Sequence, residues 1–181
     1  MSRYPVLIDE RSRVAVAVHM NDTPLPLFAD KDGVVYVGGN AGTTYNLRIA
    51  NISEERVEAI VGIDGKDVIG GLRVLPTTKG MVIPTEMTWK CLGWHATREV
   101  CRRFTFPAVD ADMDRVQITC YGEGSEMLTL PQGSTHALPR VGGVSTGRKC
   151  GVTKFTRLAK FGLELRIADA QQLVGMDLSQ L

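Results

Sequence analysis

Alternation of residue types with a period of two runs through most of the chain, and it decides which class of fold the chain can adopt. In "RVAVAVHM", Val14, Val16 and Val18 fall on one face of an extended segment, and the residues between them fall on the other. The segments "VLIDE", "GVVYVGG" and "TTYNLRIANIS" repeat this pattern. Successive side chains of a β-strand point to opposite faces of the sheet, so the pattern predicts a series of half-buried strands.

Later segments continue the pattern in short runs rich in β-branched and aromatic residues: "MVIPTEMTWKCLGW", "REVCRRFTF", "RVQITCYG" and "FGLELRI". Proline and glycine separate these runs, and little helical periodicity intervenes. Many short strands with frequent turns predict a mainly β fold, an antiparallel β-sandwich of jelly-roll-like type. Near the end, Asp169 is suited to cap a short helix, with Gln172 completing the cap and Gly175 ending the helix.

The glycine-rich stretch "VEAIVGIDGKDVIGG", residues 57–71, raises the choice between a β-hairpin and a cation site. Asp64 and Gly65 form the dipeptide best suited to a tight turn with positive φ. Two carboxylates in such a turn, Asp64 and Asp67, do not supply the six or more oxygen ligands that calcium requires. The sequence therefore predicts a hairpin turn at Asp64 and Gly65.

A chain of 181 residues has the size of one domain. We predict a β-sandwich core over 1–130, an extended basic arm or loop over 131–160, and a final strand and short helix packed on the core over 161–181. The arm is predicted because residues 131–151, "PQGSTHALPRVGGVSTGRKCG", have no periodicity and are rich in small and turn-forming residues. Residues 140–166 carry seven basic groups and one acid.

Composition places the chain among globular proteins, with 44% hydrophobic and 23% charged residues. No apolar run approaches the ~18 residues that cross a bilayer, and the first residues lack a basic segment followed by an apolar core. We therefore expect no signal peptide, no membrane span, and a location in a virion or the cytoplasm. Four cysteines without metal-site spacing are predicted to be buried thiols, with disulfide pairing as the alternative: Cys91, Cys101, Cys120 and Cys150.

Motifs that would indicate catalysis, a cofactor or a metal are incomplete. Residues 38–44, "GGNAGTT", resemble a phosphate loop but lack its lysine and its helix. Residues 110–115, "DADMDR", have the aspartate spacing of a calcium loop, but Arg115 replaces the required glycine. His95 lies between Cys91 and Cys101, where ordinary packing is the favoured interpretation. We predict no catalytic, cofactor or metal residues, and a protein that is not an enzyme.

Basic side chains in and beside the predicted arm are the candidates for partner contact: Arg148, Lys149, Lys154, Arg157 and Lys160. The favoured interpretation of this basic segment is a solvated face or tail, and the alternative is contact with an acidic partner surface or with nucleic acid. Interleaved Phe155 and Phe161 could stack on nucleic-acid bases, but we expect them to anchor the last segment to the core. Protein partners are thus favoured over nucleic acid, and a homo-oligomer is left open.

Several short motifs resemble a family of uncharacterised β-rich bacterial and prophage-encoded proteins: Tyr45-x-Leu47-x-Ile49-x-Asn51, Arg56-Val57-x-Ala59 running to Ile63-Asp64-Gly65, Gly93-Trp94, Phe104-x-Phe106, Thr146-Gly147, Phe155 and the late "LVG". The chain departs from that pattern at His95, where a basic residue is expected. The resemblance implies a β-rich domain without an established activity.

These observations together predict a non-enzymatic structural or assembly protein, a phage virion component such as a capsid decoration or head-associated protein. Its partners would be capsid or other virion proteins. The alternative is a soluble binding module for a glycan or a host protein, with Trp89 or Trp94 as a stacking surface.

Overall fold

Two β-sheets packed face to face contain most of the residues that the computed structural model describes, which are 5–97, 99–123, 155–156 and 158–181. The predicted mainly β, sandwich-like fold is confirmed. Strands arise where β-branched residues alternate with polar ones, because such side chains pack well on a pleated surface.

The first sheet is antiparallel and has the order β1-β2-β6-β12-β11, with β3 paired to β2 and β10 paired to β6. Its strands are β1 (Leu7–Asp9), β2 (Val14–Met20), β3 (Thr23–Pro24), β6 (Thr44–Asn51), β10 (Thr88–Cys91), β11 (Gly93–His95) and β12 (Cys101–Thr105).

The second sheet has the order β15-β4-β5-β14-β13-β7-β8, with β9 paired to β7. Its strands are β4 (Phe28–Ala29), β5 (Val35–Gly39), β7 (Val57–Ile63), β8 (Lys66–Asp67), β9 (Met81–Ile83), β13 (Asp114–Gly122), β14 (Phe161–Asp169) and β15 (Ser179–Gln180). One pairing differs from the predicted antiparallel arrangement: β14 runs parallel to β5, which makes this sheet mixed. A parallel pair requires a long crossover, and here most of the chain lies between the two strands.

One hydrophobic core fills the space between the sheets. Leu47 and Ile49 from the first sheet and Val61, Ile118 and Leu165 from the second are among its fully buried members. Each such side chain contributes about 1.5–3 kcal/mol through removal of apolar surface from water. β14 supplies core residues together with β2, so the end of the chain folds into the same core as its beginning.

Strand β2 is buried on both faces, although its sequence alternates between Val and Ala. Val14 and Val18 face the core, while Ala15 and Ala17 on the opposite face are also covered. Ala17 lies directly across from Arg48 on β6. Small side chains between longer neighbours lose their access to solvent. The burial of these alanines therefore does not follow from the sequence of β2 alone.

The run "MVIPTEMTWKC" belongs to both sheets. Met81–Ile83 forms β9 in the second sheet, and Thr88–Cys91 forms β10 in the first. Glu86, with φ of 61°, lies in the turn between them, where the backbone amide of Asn51 donates to the carbonyl of Met87 over 2.9 Å. The turn therefore carries the chain from one layer of the sandwich to the other.

Helix α1 (Ala170–Leu173) follows β14 directly, and its predicted capping box is confirmed. The Asp169 carboxylate accepts from the Gln171 amide over 2.8 Å, and the Gln172 side chain accepts from the Asp169 amide over 2.9 Å. Gly175 follows with φ of 88°. In the part of the chain described, no helix has both the length and the apolar character needed to cross a membrane.

Candidate functional site

A cleft of about 420 Å³ opens where four parts of the chain meet: the start of β6, the turn between β7 and β8, the β11–β12 hairpin and the start of β13. Its walls include aromatic, acidic and basic side chains: Tyr45, Ile63, Asp64, Trp94, Arg102, Arg103, Phe104, Thr105, Pro107 and Asp114. No single segment supplies more than a part of this lining. We call it the Trp94 cleft.

The floor of the Trp94 cleft is aromatic. The ring of Tyr45 stacks on Phe104 at a centroid distance of 5.4 Å and is tilted against Phe106 at 5.0 Å. Trp94 meets Phe104 edge to face at 6.1 Å. Tyr45, Phe104 and Phe106 are buried, whereas Trp94 is half-buried. Contacts of this kind hold flat rings in place, so the indole is positioned by the core beneath it.

The turn at Asp64 and Gly65 has the geometry that the sequence predicts. Their φ angles are 50° and 81°, both in the left-handed region that a two-residue hairpin turn requires. Asp64 is also bound to β13, because its amide donates to the carbonyl of Arg115 over 2.9 Å and its carboxylate accepts from the Arg115 amide over 3.1 Å. These bonds place the turn beside Asp114.

Two carboxylates consequently share the Trp94 cleft. Asp114 Oδ2 accepts from the Tyr45 hydroxyl at 3.4 Å. Burial, and then the neighbouring charge of Asp64, raises the pKa of Asp114, and burial raises the pKa of Tyr45 well above its usual range. Within the described ranges, neither aspartate forms an ion pair with a basic side chain.

Two guanidinium groups lie at the same cleft without an acidic partner. Arg102 and Arg103 are exposed, and neither takes part in an ion pair with any described residue. Arg115, just outside the lining, behaves differently because it binds Glu164 on β14. The Trp94 cleft thus holds groups of both signs beside an aromatic surface, and no described residue neutralises them.

The cysteine and histidine constellation does not produce a reactive thiol at Cys91. Burial raises the pKa of Cys91, and also that of Cys120, to about 12. His95 lies directly across from Cys101 on the neighbouring strand, where both are half-buried. The predicted burial of free thiols is confirmed for Cys91 and Cys120 and is partial for Cys101; Cys150 lies outside the described residues.

The loop that resembles a phosphate site has a carboxylate at its backbone amides. Gly38 and Gly39 end strand β5, and the amide of Ala41 donates to Asp169 Oδ2 over 2.9 Å. An acid in that position repels a phosphate. Considering the described part of the chain, no group of three or more His, Cys, Asp or Glu side chains is placed to hold a metal ion.

Four of the five basic partner-contact candidates, Arg148, Lys149, Lys154 and Arg157, lie outside the described residues. Lys160 is described, and its ammonium group binds Glu55 at 2.8 Å. Its amide donates to the carbonyl of Cys120 over 2.9 Å, beside the end of β13. Lys160 therefore belongs to the edge of the sandwich, where its charge is already paired.

The aromatic anchors predicted for the last segment are confirmed. Phe155 is buried and forms an antiparallel bridge with Glu123, while Phe161 is partly buried against the core. Trp89, the other predicted stacking residue, packs partly on the core from β10 and does not line the Trp94 cleft.

Sequence reasoning did not predict the Trp94 cleft as a unit. From neighbouring residues alone, Asp64 is predicted to form a turn, Asp114 belongs to an incomplete calcium-loop motif, and Trp94 is a candidate stacking surface. The aspartates are separated by fifty positions, and only the pairing of β7 with β13 brings them together. Arg102 and Arg103 carried no signal beyond two adjacent charges.

Comparison of the chain with protein-family models, curated proteins and solved structures finds no match in any of the three. The resemblance to uncharacterised bacterial and prophage-encoded proteins stays a prediction.

Proposed function

We propose that this chain is a non-enzymatic structural protein that acts by assembling with other proteins, as a component of a phage virion such as a capsid decoration or head-associated protein. The resemblance to prophage-encoded proteins supports the assignment to a phage virion. One structural observation supports the assembly role: the residues that flank the basic segment 124–154, which itself lies outside the described residues, are paired side by side.

That point is defined by Glu123 and Phe155, which pair as an isolated antiparallel bridge. Beside it, the amide of Thr156 donates to the carbonyl of Gly122 over 3.1 Å. Residues 124–154 thus begin and end side by side, at the junction of β13 and the approach to β14. The described members of the core come from both sides of this segment. A segment with such closely spaced ends can change in length at a small cost in loop entropy.

The charge of that segment favours an acidic protein surface as its partner. Residues 124–154 contain four basic residues and one acid. Elsewhere, Leu72 and Leu75 lie on one loop and are 75% and 52% exposed, which suits further apolar contact with a protein. In this proposal, the segment from about 131 to 160 reaches across the partner, and Arg148 and Lys149 bind its carboxylates.

The experiment is a measurement of solution mass by size exclusion with light scattering, on the full chain and on a variant in which residues 126–152 are replaced by a short Gly-Ser turn. We expect the full chain to form a closed oligomer and the shortened variant to be a monomer with an unchanged thermal midpoint. A shortened variant that assembles normally contradicts the proposal, whereas a monomeric full chain would favour the binding module or a monomeric capsid-decorating protein.

Charge reversal provides a matched test. Arg148→Glu with Lys149→Glu should dissociate the oligomer, while Lys31→Glu with Lys79→Glu, at two exposed lysines of the described sandwich, should leave it intact. Equal effects of the two pairs would show that only total charge matters and would contradict a specific contact.

A soluble binding module for a glycan or a host protein is the second candidate function. The observation that favours it is the Trp94 cleft, with its half-buried indole and with charged groups of both signs that form no ion pair with any described residue.

A further inference from the structure

We infer that the Trp94 cleft is a binding site for a neutral saccharide. The inference rests on the second candidate function and names its ligand and its residues; it does not depend on the assembly role. It starts from the charges that the fold brings together and leaves unpaired.

Groups of opposite sign line the cleft without binding each other. In the described part of the chain, Asp64 and Asp114 form no ion pair, and neither do Arg102 and Arg103. The fold satisfies comparable groups nearby, since Arg115 binds Glu164 and Arg56 binds Glu123. Both aspartates accept one hydrogen bond each, from Arg115 and Tyr45, but among the described residues none of the four charges is neutralised by an opposite one, so each can still bind a ligand group.

The sign of these charges limits the class of ligand. A cation would be attracted by the two carboxylates but repelled by the guanidinium groups. An anion would be attracted by the guanidinium groups but repelled by the carboxylates. A neutral ligand that both donates and accepts hydrogen bonds meets neither repulsion. Carboxylates only accept hydrogen bonds and guanidinium groups only donate them, whereas each hydroxyl group does both. A ring that carries several hydroxyl groups can thus satisfy both kinds of side chain.

The aromatic surface of the Trp94 cleft suits the apolar face of a sugar ring. Trp94 is half-buried and held edge to face on Phe104 at 6.1 Å, so its exposed part is a rigid apolar platform. The C–H groups of a sugar ring form an apolar face that packs on aromatic carbon, while its hydroxyl groups point outward. The cleft volume of about 420 Å³ falls within the usual range for small-molecule sites.

The platform and the polar groups are fixed before binding. The Asp64 turn is hydrogen-bonded to β13 through Arg115, and Asp114 accepts from the buried Tyr45 hydroxyl. Because these positions are set by backbone pairing, a ligand would not have to order a loop in order to bind.

The test is a glycan array probed with the full chain, followed by fluorescence titration of the best ligand in a Trp89→Phe background, where Trp94 is the remaining tryptophan. We expect neutral glycans to bind and to change the Trp94 emission. The inference would be overturned if no glycan bound or if only sulfated or sialylated glycans bound. Binding of an arginine-rich peptide in place of a neutral glycan would also overturn it.

Three variants connect binding to the cleft. Arg102→Gln and Asp114→Asn should each weaken binding by about tenfold, because each removes a charge-assisted hydrogen bond. Lys31→Gln, at an exposed residue that does not line the cleft, is the control and should bind as the parent does. Both cleft variants must keep the parental thermal midpoint or exceed it, so that weaker binding is not confused with unfolding. Parental affinity in both cleft variants would place the ligand elsewhere and overturn the inference.

The same proteins distinguish this inference from the assembly role. Solution mass reports assembly and should be unchanged in Arg102→Gln, while the variant shortened between 126 and 152 should still bind the glycan.

Discussion

The aromatic ring of Phe106 lies directly against Gly39: a Cβ atom on residue 39 would come within 2.3 Å of Phe106 Cζ. Phe106 is itself buried and packed on Tyr45, so it has little room to move away. The last residue of β5 and the residue that follows β12 therefore constrain each other across the core, below the Trp94 cleft.

Replacement of Gly39 by alanine should consequently destabilise the protein by about 2–3 kcal/mol, the cost of overpacking a rigid core site. Denaturant unfolding measures this change. Gly162→Ala is the matched control, because a Cβ there meets no heavy atom within 4 Å. That control should be neutral or stabilising by up to about 1 kcal/mol, as expected for glycine in a strand. Similar losses at both sites would contradict the packing argument.

The contact between Arg56 and Glu123 should make stability depend on pH. Hydrogen bonds from the Arg56 side chain lower the pKa of Glu123 below its usual value, so the pair stabilises the fold above the unfolded-state pKa. This stabilisation is lost as the pH falls through the folded-state pKa. At pH 7, Glu123→Gln should cost about 1 kcal/mol, a figure reduced for solvent screening of a partly exposed pair. The difference from the parent should shrink as the pH falls below the unfolded-state pKa and disappear below the folded-state pKa.

Unfolding of both proteins between pH 7 and pH 3 provides this comparison. Glu54→Gln is the control, since Glu54 is exposed and has no ion pair with a described residue. A difference between Glu123→Gln and the parent that stays constant with pH would show that the effect is steric.

Replacement of Asp114 by asparagine should stabilise the protein at pH 7. The pKa of Asp114 is raised by burial and by Asp64, so its charged form is less favourable in the folded chain than in the unfolded one. Because the folded-state pKa of Asp114 lies above the unfolded-state value, acidification stabilises the parent. The asparagine variant has no titratable group at this position and does not gain this stability. We expect a gain of about 0.5 kcal/mol at pH 7, discounted for solvent screening, that disappears below the unfolded-state pKa.

Thermal unfolding at pH 7 and pH 3 tests this expectation, with Asp112→Asn, at an exposed position just before β13, as the control. Destabilisation by Asp114→Asn at pH 7 would mean that the carboxylate is stabilised by its surroundings, contrary to the raised pKa.

The thiols should differ in their reactivity. With pKa values of about 12 for Cys91 and Cys120, roughly one side chain in ten thousand is a thiolate at pH 8. In a Cys150→Ser variant, alkylation by iodoacetamide should modify Cys101 quickly, and the other two only after denaturant is added. Mass spectrometry of the modified peptides identifies the sites. Fast modification of Cys91 in the folded protein would contradict its burial.

Much of the fold follows from the sequence because its cause is local. The alternation in "RVAVAVHM", the Asp64-Gly65 turn and the Asp169 capping box each depend on residues within a few positions, and each is found where the sequence predicts it. Strand existence and turn geometry are decided by short-range sterics and by hydrogen bonds between near neighbours.

The tertiary structure alone decided which strands meet and what their meeting creates. No local pattern shows that β14 pairs in parallel with β5, or that Ala15 is covered on the outer face of β2. The Trp94 cleft likewise exists because backbone pairing sets Asp64 beside Asp114. Burial of the strand faces in one core selects that register, since a shift by one residue would turn the core face of every strand towards water. The sequence by itself determined the strands and turns; long-range packing determined the order of the sheets and the candidate site.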